Sequence, residues 1–220
     1  MDNKEMTDLR NMELAPWVQK ATALIERHRK VGGNQFRHCL ATMTILMDYH
    51  FIDSVILKTA IVHDLLEDST RVSRDELRVI DQDGPVVVNH VIELTYDKAL
   101  QVKSKYLENL LKNGSPKSLI VKLADRISNL TDLHLFVFKE ENAKAYIQET
   151  EKYILPMVAT LQKSSIPDHQ KQMVLEMGKE LKDLVMIRKL YVTEFDNFKS
   201  IRQKIKDKLK SISKKIWDEE

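Results

Sequence analysis

Asp53-Ser54-Val55-Ile56-Leu57-Lys58-Thr59-Ala60-Ile61-Val62-His63-Asp64-Leu65-Leu66 is the most apolar stretch of the chain. Its apolar residues fall on every side of a 3.6-residue period, which predicts a central, buried helix from Asp53 to Leu66. Such a helix needs other helices around it. Upstream, Leu40, Met43 and Met47 set a helix from Phe36 to Tyr49, and Gly32, Gly33 and Asn34 make a loop. Pro16 opens a still earlier helix whose stripe of Val18, Ala21, Leu24 and Ile25 runs toward Arg29. Downstream, Ser73-Arg74-Asp75-Glu76 is a capping box and Gly84-Pro85 breaks the chain before Val86–Leu94. Asn113-Gly114-Ser115-Pro116 caps a helix carrying Leu119, Ile120, Leu123, Ile127 and Leu130. A stripe of Ile147, Thr150, Ile154, Val158 and Leu161 predicts a helix over Ala143–Leu161, kinked by Pro156. Pro167 to Tyr191 reads as one more. With 5 Gly and 5 Pro among 220 residues, turn formers are too few for a many-stranded protein. The predicted fold class is all-α.

The chain is 43% hydrophobic with a net charge of +2, which excludes a disordered acidic chain and a globally basic nucleic-acid coat. At roughly 100–200 residues per domain, the length fits one domain with an appendage. We place the domain at residues 1–190 and a basic amphipathic C-terminal helix at 191–220. Residues 199–215 hold eight Lys or Arg against one Asp, with Ile201, Ile205, Leu209, Ile212 and Ile216 on one helical face. That face has three readings: packing on the domain, pairing with a partner or second copy, or contact with an anionic membrane or nucleic acid. Cys39 is the one cysteine, which suits a reducing compartment. No window approaches 18 uninterrupted apolar residues and Met1–Glu13 is polar, so neither a membrane span nor a signal peptide is expected. The expected location is the cytoplasm.

The apolar helix ends in His63-Asp64-Leu65-Leu66-Glu67-Asp68. From composition, this string of polar residues arises in roughly 3 chains per thousand. Four polar groups beside so apolar a helix call for pairing or a metal. Neighbouring His and Asp present a nitrogen and an oxygen to one point, a half-site for Mn, Fe, Co or Zn. His63 and Glu67, like Asp64 and Asp68, share a helix face if the helix continues that far. His38 lies on the preceding helix. Asp125 is embedded in the apolar run Val121-Lys122-Leu123-Ala124-Asp125-Arg126, and Asn129 follows one turn later. Four protein ligands leave positions open for water and substrate, the requirement for metal-assisted hydrolysis.

His38, His63-Asp64 and Asp125 resemble the signature of HD-domain phosphohydrolases. Adding Arg29, Glu67-Asp68 and Lys122-Leu123-Ala124-Asp125-Arg126-x-x-Asn129, residues 15–165 resemble the hydrolase domain of RelA/SpoT-type alarmone enzymes. Glu149-Thr150 and Leu155-Pro156 resemble that family's following helix. The resemblance implies an HD-domain helical bundle and a stand-alone small alarmone hydrolase that removes pyrophosphate from the 3′ position of (p)ppGpp or a ppApp-like nucleotide. It implies that His38, His63, Asp64 and Asp125 hold Mn²⁺ or another divalent transition metal. Glu67 and Asp68 would handle the attacking water, and Arg29, Lys30 and Asn129 would contact the nucleotide. Cys39 stands where the family commonly has Pro, Val31 replaces a small polar residue, and Asp132 replaces a Thr-like residue near the base. As a carboxylate, Asp132 can accept from guanine N1–H and N2–H₂ or adenine N6–H₂, which leaves the base open. Two other readings are an HD-type nucleotidase acting on nucleoside monophosphates and a non-enzymatic, metal-stabilised helical module. A nucleotide partner is expected, nucleic acid is not, and a homo-oligomer remains open.

Overall fold

The computed structural model describes residues 1–133 and 140–218, with side chains except those of 140, 195–196 and 208–218. Its helices are α1 (Asn3–Asn11), α2 (Ala15–Ala21), α3 (Gln35–Asp48), α4 (Ser54–Val62), α5 (Leu65–Asp68) and α6 (Arg74–Arg78). They continue as α7 (Gly84–Leu94), α8 (Lys103–Asn113), α9 (Pro116–Thr131), α10 (Glu140–Glu149), α11 (Leu155–Gln162) and α12 (Asp168–Asp218). Among the described residues the sole β feature is an isolated bridge between His28 and Asn34. The all-α expectation holds.

Local chemistry sets the helix starts. Asn34, Asp53, Ser73 and Ser115 each accept a backbone N–H with their side chains, and Ser73 and Glu76 close the expected capping box. Pro116 occupies the first turn of α9. Helices α3, α4 and α9 pack on one another at the centre, with α2 and α7 against α4 and α12 against α9. Leu57, Ala60, Ile61, Val62, Leu119, Ile120, Leu123 and Ala124 are buried there.

Four boundaries differ from the sequence expectation. The helix opened by Pro16 ends early: α2 tightens into a 3₁₀ turn at Thr22–Leu24, and Ile25 is already 45% exposed. Glu26 to Lys30 offer nothing to bury, so the backbone bonds across a loop instead, Arg29 N to Gly33 O and Gln35 N to Arg27 O. Gly32 and Gly33 adopt φ of 94° and 70°, which glycine reaches without strain. The central helix does not reach Leu66. It stops at Val62, and a short turn restarts with Glu67 and Asp68 donating to the Asp64 carbonyl. The expected kink at Pro156 is taken up by a π-helical turn at Thr150–Ile154, one turn before the proline that lacks an N–H. Finally, the helix predicted to end at Tyr191 runs on unbroken to Asp218. Phe198, Ile201 and Ile205 are 64, 55 and 55% exposed, so this part of the tail stripe does not pack on the domain. The side chains of Leu209, Ile212 and Ile216 lie outside the described set.

Lys58 is one of the charges buried in the core. Lys58 Nζ lies 2.7 Å from both Asp81 and Asp83, and Trp17 Nε1 donates to Asp81 at 2.8 Å. The turn that carries both carboxylates needs Gly84, because a Cβ there would meet the Arg78 carbonyl oxygen at 2.4 Å. Burial opposes ionisation of Asp81, but Lys58 and Trp17 outweigh it; Lys58 and Ser54 likewise lower Asp83. Both folded carboxyls titrate below the ordinary 3.8, so their contribution is complete above that value and is lost as pH falls through the depressed range. Urea titration should find Asp81→Ala less stable by about 3 kcal/mol at neutral pH, because Lys58 stays buried and half-paired. Lys58→Met, which leaves Asp81 and Asp83 side by side without their cation, should also cost about 3 kcal/mol at neutral pH, and that loss should shrink as the pH falls and the two carboxyls protonate.

Candidate metal centre and adjoining cavity

The break after Val62 builds the centre. His63 Nδ1 bonds the Ala60 carbonyl at 2.8 Å, which fixes the ring and aims Nε2 inward. Asp64 begins the next turn with Oδ2 at 3.3 Å from His63 Nε2 and 3.7 Å from His38 Nε2. From α3, His38 places Nε2 at 3.0 Å from Asp125 Oδ1 and Nδ1 at 3.0 Å from Ser128 Oγ. Asp125 Oδ1 is 3.8 Å from His63 Nε2, and its other oxygen takes Lys122 Nζ at 2.7 Å. The four residues expected from the sequence are thus brought together, although three separate elements supply them. His38, His63 and Asp125 are 2, 2 and 5% exposed.

Charges in so dry a place shift one another. Burial would raise the Asp125 carboxyl, but Lys122 and the two imidazoles hold it well below the carboxylate range. Burial acts the same way on Asp64, and His63 and His38 bring it down to about 2. Burial alone would lower the His63 imidazolium, yet Asp64 outweighs it and the value rises well above 6.5. Two carboxylates and two imidazoles facing one point suit a divalent cation of borderline softness. The Nδ1 atoms are occupied by Ser128 and Ala60, while His63 Nε2 is buried with no hydrogen-bond partner. An orphaned nitrogen inside a ring of carboxylates is what a bound cation accounts for. Cys39, fully buried, brings its sulfur within 4.8 Å of donor atoms of His63 and Asp64, and burial pushes its thiol up.

A cavity of about 550 Å³ opens beside this centre. Gln35 and Asn129 line it and also bond Asp64 and Asp125, so they form the wall between the two. Arg27, Arg29, Lys30, Lys98 and Lys103 face it against two carboxylates, Asp68 and Glu149. Glu67 and Asp68 diverge, because neighbours on one helical turn point about 100° apart. Glu67 accepts the Tyr96 N–H at 3.2 Å and pairs with Lys98 at 3.0 Å, whereas Asp68 lines the cavity with Arg27 at 3.4 Å. Burial, with Asp64 and Glu67 nearby, raises the Asp68 carboxyl. Arg29 spans Asp132 at 2.8 Å and Asn129 at 3.0 Å. Asp132 therefore stands behind Arg29 instead of lining the cavity.

No family model matches the chain. Human guanosine-3′,5′-bis(diphosphate) 3′-pyrophosphohydrolase MESH1 is 31% identical over 131 residues, covering 56% of this chain and 72% of the human protein. The chain belongs to the MESH1 family. The Drosophila melanogaster MESH1 is 32% identical over 102 residues, 44% of this chain and 55% of that protein. A GTP pyrophosphokinase rsh from Brucella abortus is 32% identical over 142 residues, 60% of this chain. The chain spans only 18% of the length of that larger relative. A solved structure of a metazoan SpoT ortholog, described as hydrolysing ppGpp with a role in starvation responses, shares the fold. It superposes with a TM-score of 0.57 at 24% identity, covering 82% of this chain and 96% of its own.

Around this candidate site of a MESH1-family chain, sequence reasoning missed Gln35, Ser128, Lys98, Lys103 and Tyr146. Tyr146 stacks under Arg126, 3.9 Å from ring centroid to guanidinium, and Arg126 also bonds Glu149 and Thr150. The 3- and 4-residue spacing of Tyr146, Glu149 and Thr150 around one buried arginine is the signal that could have found it. Lys98 carries no such signal because it lies in an aperiodic loop.

The Arg29 clamp holds the loop of residues 27–34 on the end of α9. Asp132 is partly exposed, so the pair contributes about 0.5–1 kcal/mol. In Asp132→Ala, amide hydrogen exchange over residues 28–33 should speed up about two- to fivefold, with α4 and α9 protected as before.

Proposed function

We propose that this chain is a metal-dependent hydrolase that removes the 3′-pyrophosphate from guanosine-3′,5′-bis(diphosphate) or a closely related nucleotide. The observation that carries this reading is the buried His38–His63–Asp64–Asp125 cluster opening through Gln35 and Asn129 onto a cavity rich in cations. The activity in the names of the human and fly relatives supports it. His38, His63, Asp64 and Asp125 would hold the ion, which we take to be Mn²⁺. When bound, a divalent ion of this kind supplies Lewis acidity toward a phosphoryl oxygen. A reducing cytoplasm is the setting we assign, consistent with the free, buried Cys39.

The chain's own residues have separate tasks. Arg27, Lys30, Lys98 and Lys103 neutralise a diphosphate, whose charge is otherwise costly to bring beside Asp68 and Glu149. Arg29 and Asn129 contact the nucleoside end, and Asp132 acts through Arg29 as a positioning residue. In the reaction, water oxygen bonds to the phosphorus nearest the ribose and the bond from that phosphorus to the 3′-oxygen breaks. Asp68, on the cavity wall, orients the water and accepts its proton, which finally resides on the released 3′-hydroxyl. Glu67 holds Lys98 through their ion pair and so positions the phosphate-facing cation.

Kinetics with Mn²⁺ on ppGpp, pppGpp, ppApp and nucleoside monophosphates, together with equilibrium dialysis of Mn²⁺, test this assignment. Asp68→Asn should bind Mn²⁺ as the parent does and lose about 10²–10⁴-fold in kcat. Glu67→Gln should act mainly on KM through Lys98. His63→Ala should lose both the ion and the activity. A parent active only on monophosphates would favour the nucleotidase reading, and one inert on every nucleotide would exclude hydrolysis. Full activity in Asp68→Asn would remove it as the base.

A further inference from the structure

Helix α12 carries apolar residues on two sides. Val174, Met177, Leu181, Val185 and Val192 are buried against the domain, whereas Ile187, Tyr191, Phe198, Ile201 and Ile205 are 38–64% exposed. At about 100° per residue the exposed set centres roughly 130° around the helix from the buried set. The domain that covers one face therefore does not reach the other. Positions 187, 191, 194, 198, 201 and 205 step by four and three residues in alternation, and Glu194 is the one polar member. That is the spacing of a helix that pairs with another helix. Beyond Val192 no described side chain is buried, and a lone helix with so many lysines is marginal in water.

We propose that this face packs on the same face of a second copy of the chain, with the two α12 helices antiparallel and crossing near residues 199–200. Charge decides the orientation. A parallel pair sets Glu194 against Glu194 and lays eight Lys or Arg of residues 199–215 beside eight more. An antiparallel pair sets Glu194 beside Lys204 and Lys206 of the second copy and lays each basic tail along the stretch that carries Asp183 and Glu194. The cations of that stretch are already engaged, Arg188 with the Leu130 and Thr131 carbonyls and Lys189 with Glu151. Size agrees as well. With Met186 and Leu190 at its edge, the face exposes seven large apolar side chains. At on the order of 100 Å² each they bring roughly 700 Å² per copy, close to the ~800 Å² of a standard interface.

Sedimentation equilibrium at micromolar concentration should give twice the 25.7 kDa of one chain. Ile201→Glu combined with Ile205→Glu should give the monomer, with an unchanged near-ultraviolet spectrum showing that the domain stays folded. Orientation is read from spin labels on Met186→Cys, since Cys39 is buried and unreactive toward the label. The antiparallel pair separates the labels by on the order of 40 Å, while a parallel pair holds them within about 15 Å. A monomeric parent, a dimer that survives both substitutions, or closely spaced labels would each overturn the proposal. So would a monomer that sediments with anionic vesicles, which would give the face to a bilayer.

Discussion

Two imidazoles and two carboxylates share a volume from which water is nearly excluded, and the surrounding helices are arranged to make that tolerable. An unpaired buried charge costs several kcal/mol, so each member must find partners, on its own helix or on a neighbouring one. Asp125 takes His38 from α3, Lys122 from its own helix and Asn129 one turn on. Asp64 takes Gln35 at the start of α3. The break between α4 and α5 is the geometric condition for this, since a continuous helix would spread His63 and Asp64 over successive faces of one rod.

The same groups tie the centre to the cavity. Asp132, Arg29, Asn129, Asp125 and His38 form an unbroken chain of contacts that runs from the rim of the cavity to the buried cluster. Arg29 comes from a loop whose own backbone is held only by a few bonds and two glycines, and α9 gives it a fixed seat. A buried arginine, Arg126, stiffens the far wall through Tyr146, Glu149 and Thr150. Rigid elements on both sides thus place flexible lysines around a space large enough for a nucleotide.

The residues of the centre were legible in the sequence because His63-Asp64 and Asp125 interrupt runs that are otherwise apolar, and burial makes such interruptions costly. The helices were legible for the converse reason, since Leu57, Ile61, Leu119 and Leu123 repeat with the helical period. What could not be read depends on contacts between distant segments. The stop at Val62 rests on an imidazole taking the Ala60 carbonyl, and the early end of α2 rests on a bridge from His28 to Asn34. Lys98 enters the cavity from an aperiodic loop and Lys103 from the exposed first turn of α8, and Asp132 proves to face an arginine a hundred residues away. The resemblance to RelA/SpoT-type hydrolase domains located Glu67 and Asp68, but only their neighbours, Lys98 and Arg27, separate the two.

The central claim is that the buried cluster is a preformed seat for a divalent ion facing the basic cavity. Anomalous scattering from crystals grown with Mn²⁺ tests it most directly. The account predicts one strong peak at about 2.0–2.3 Å from His38 Nε2, His63 Nε2 and one oxygen each of Asp64 and Asp125. A cluster that stays empty at saturating Mn²⁺, with His38 still bonded to Asp125 and His63 Nε2 still without a partner, would contradict it.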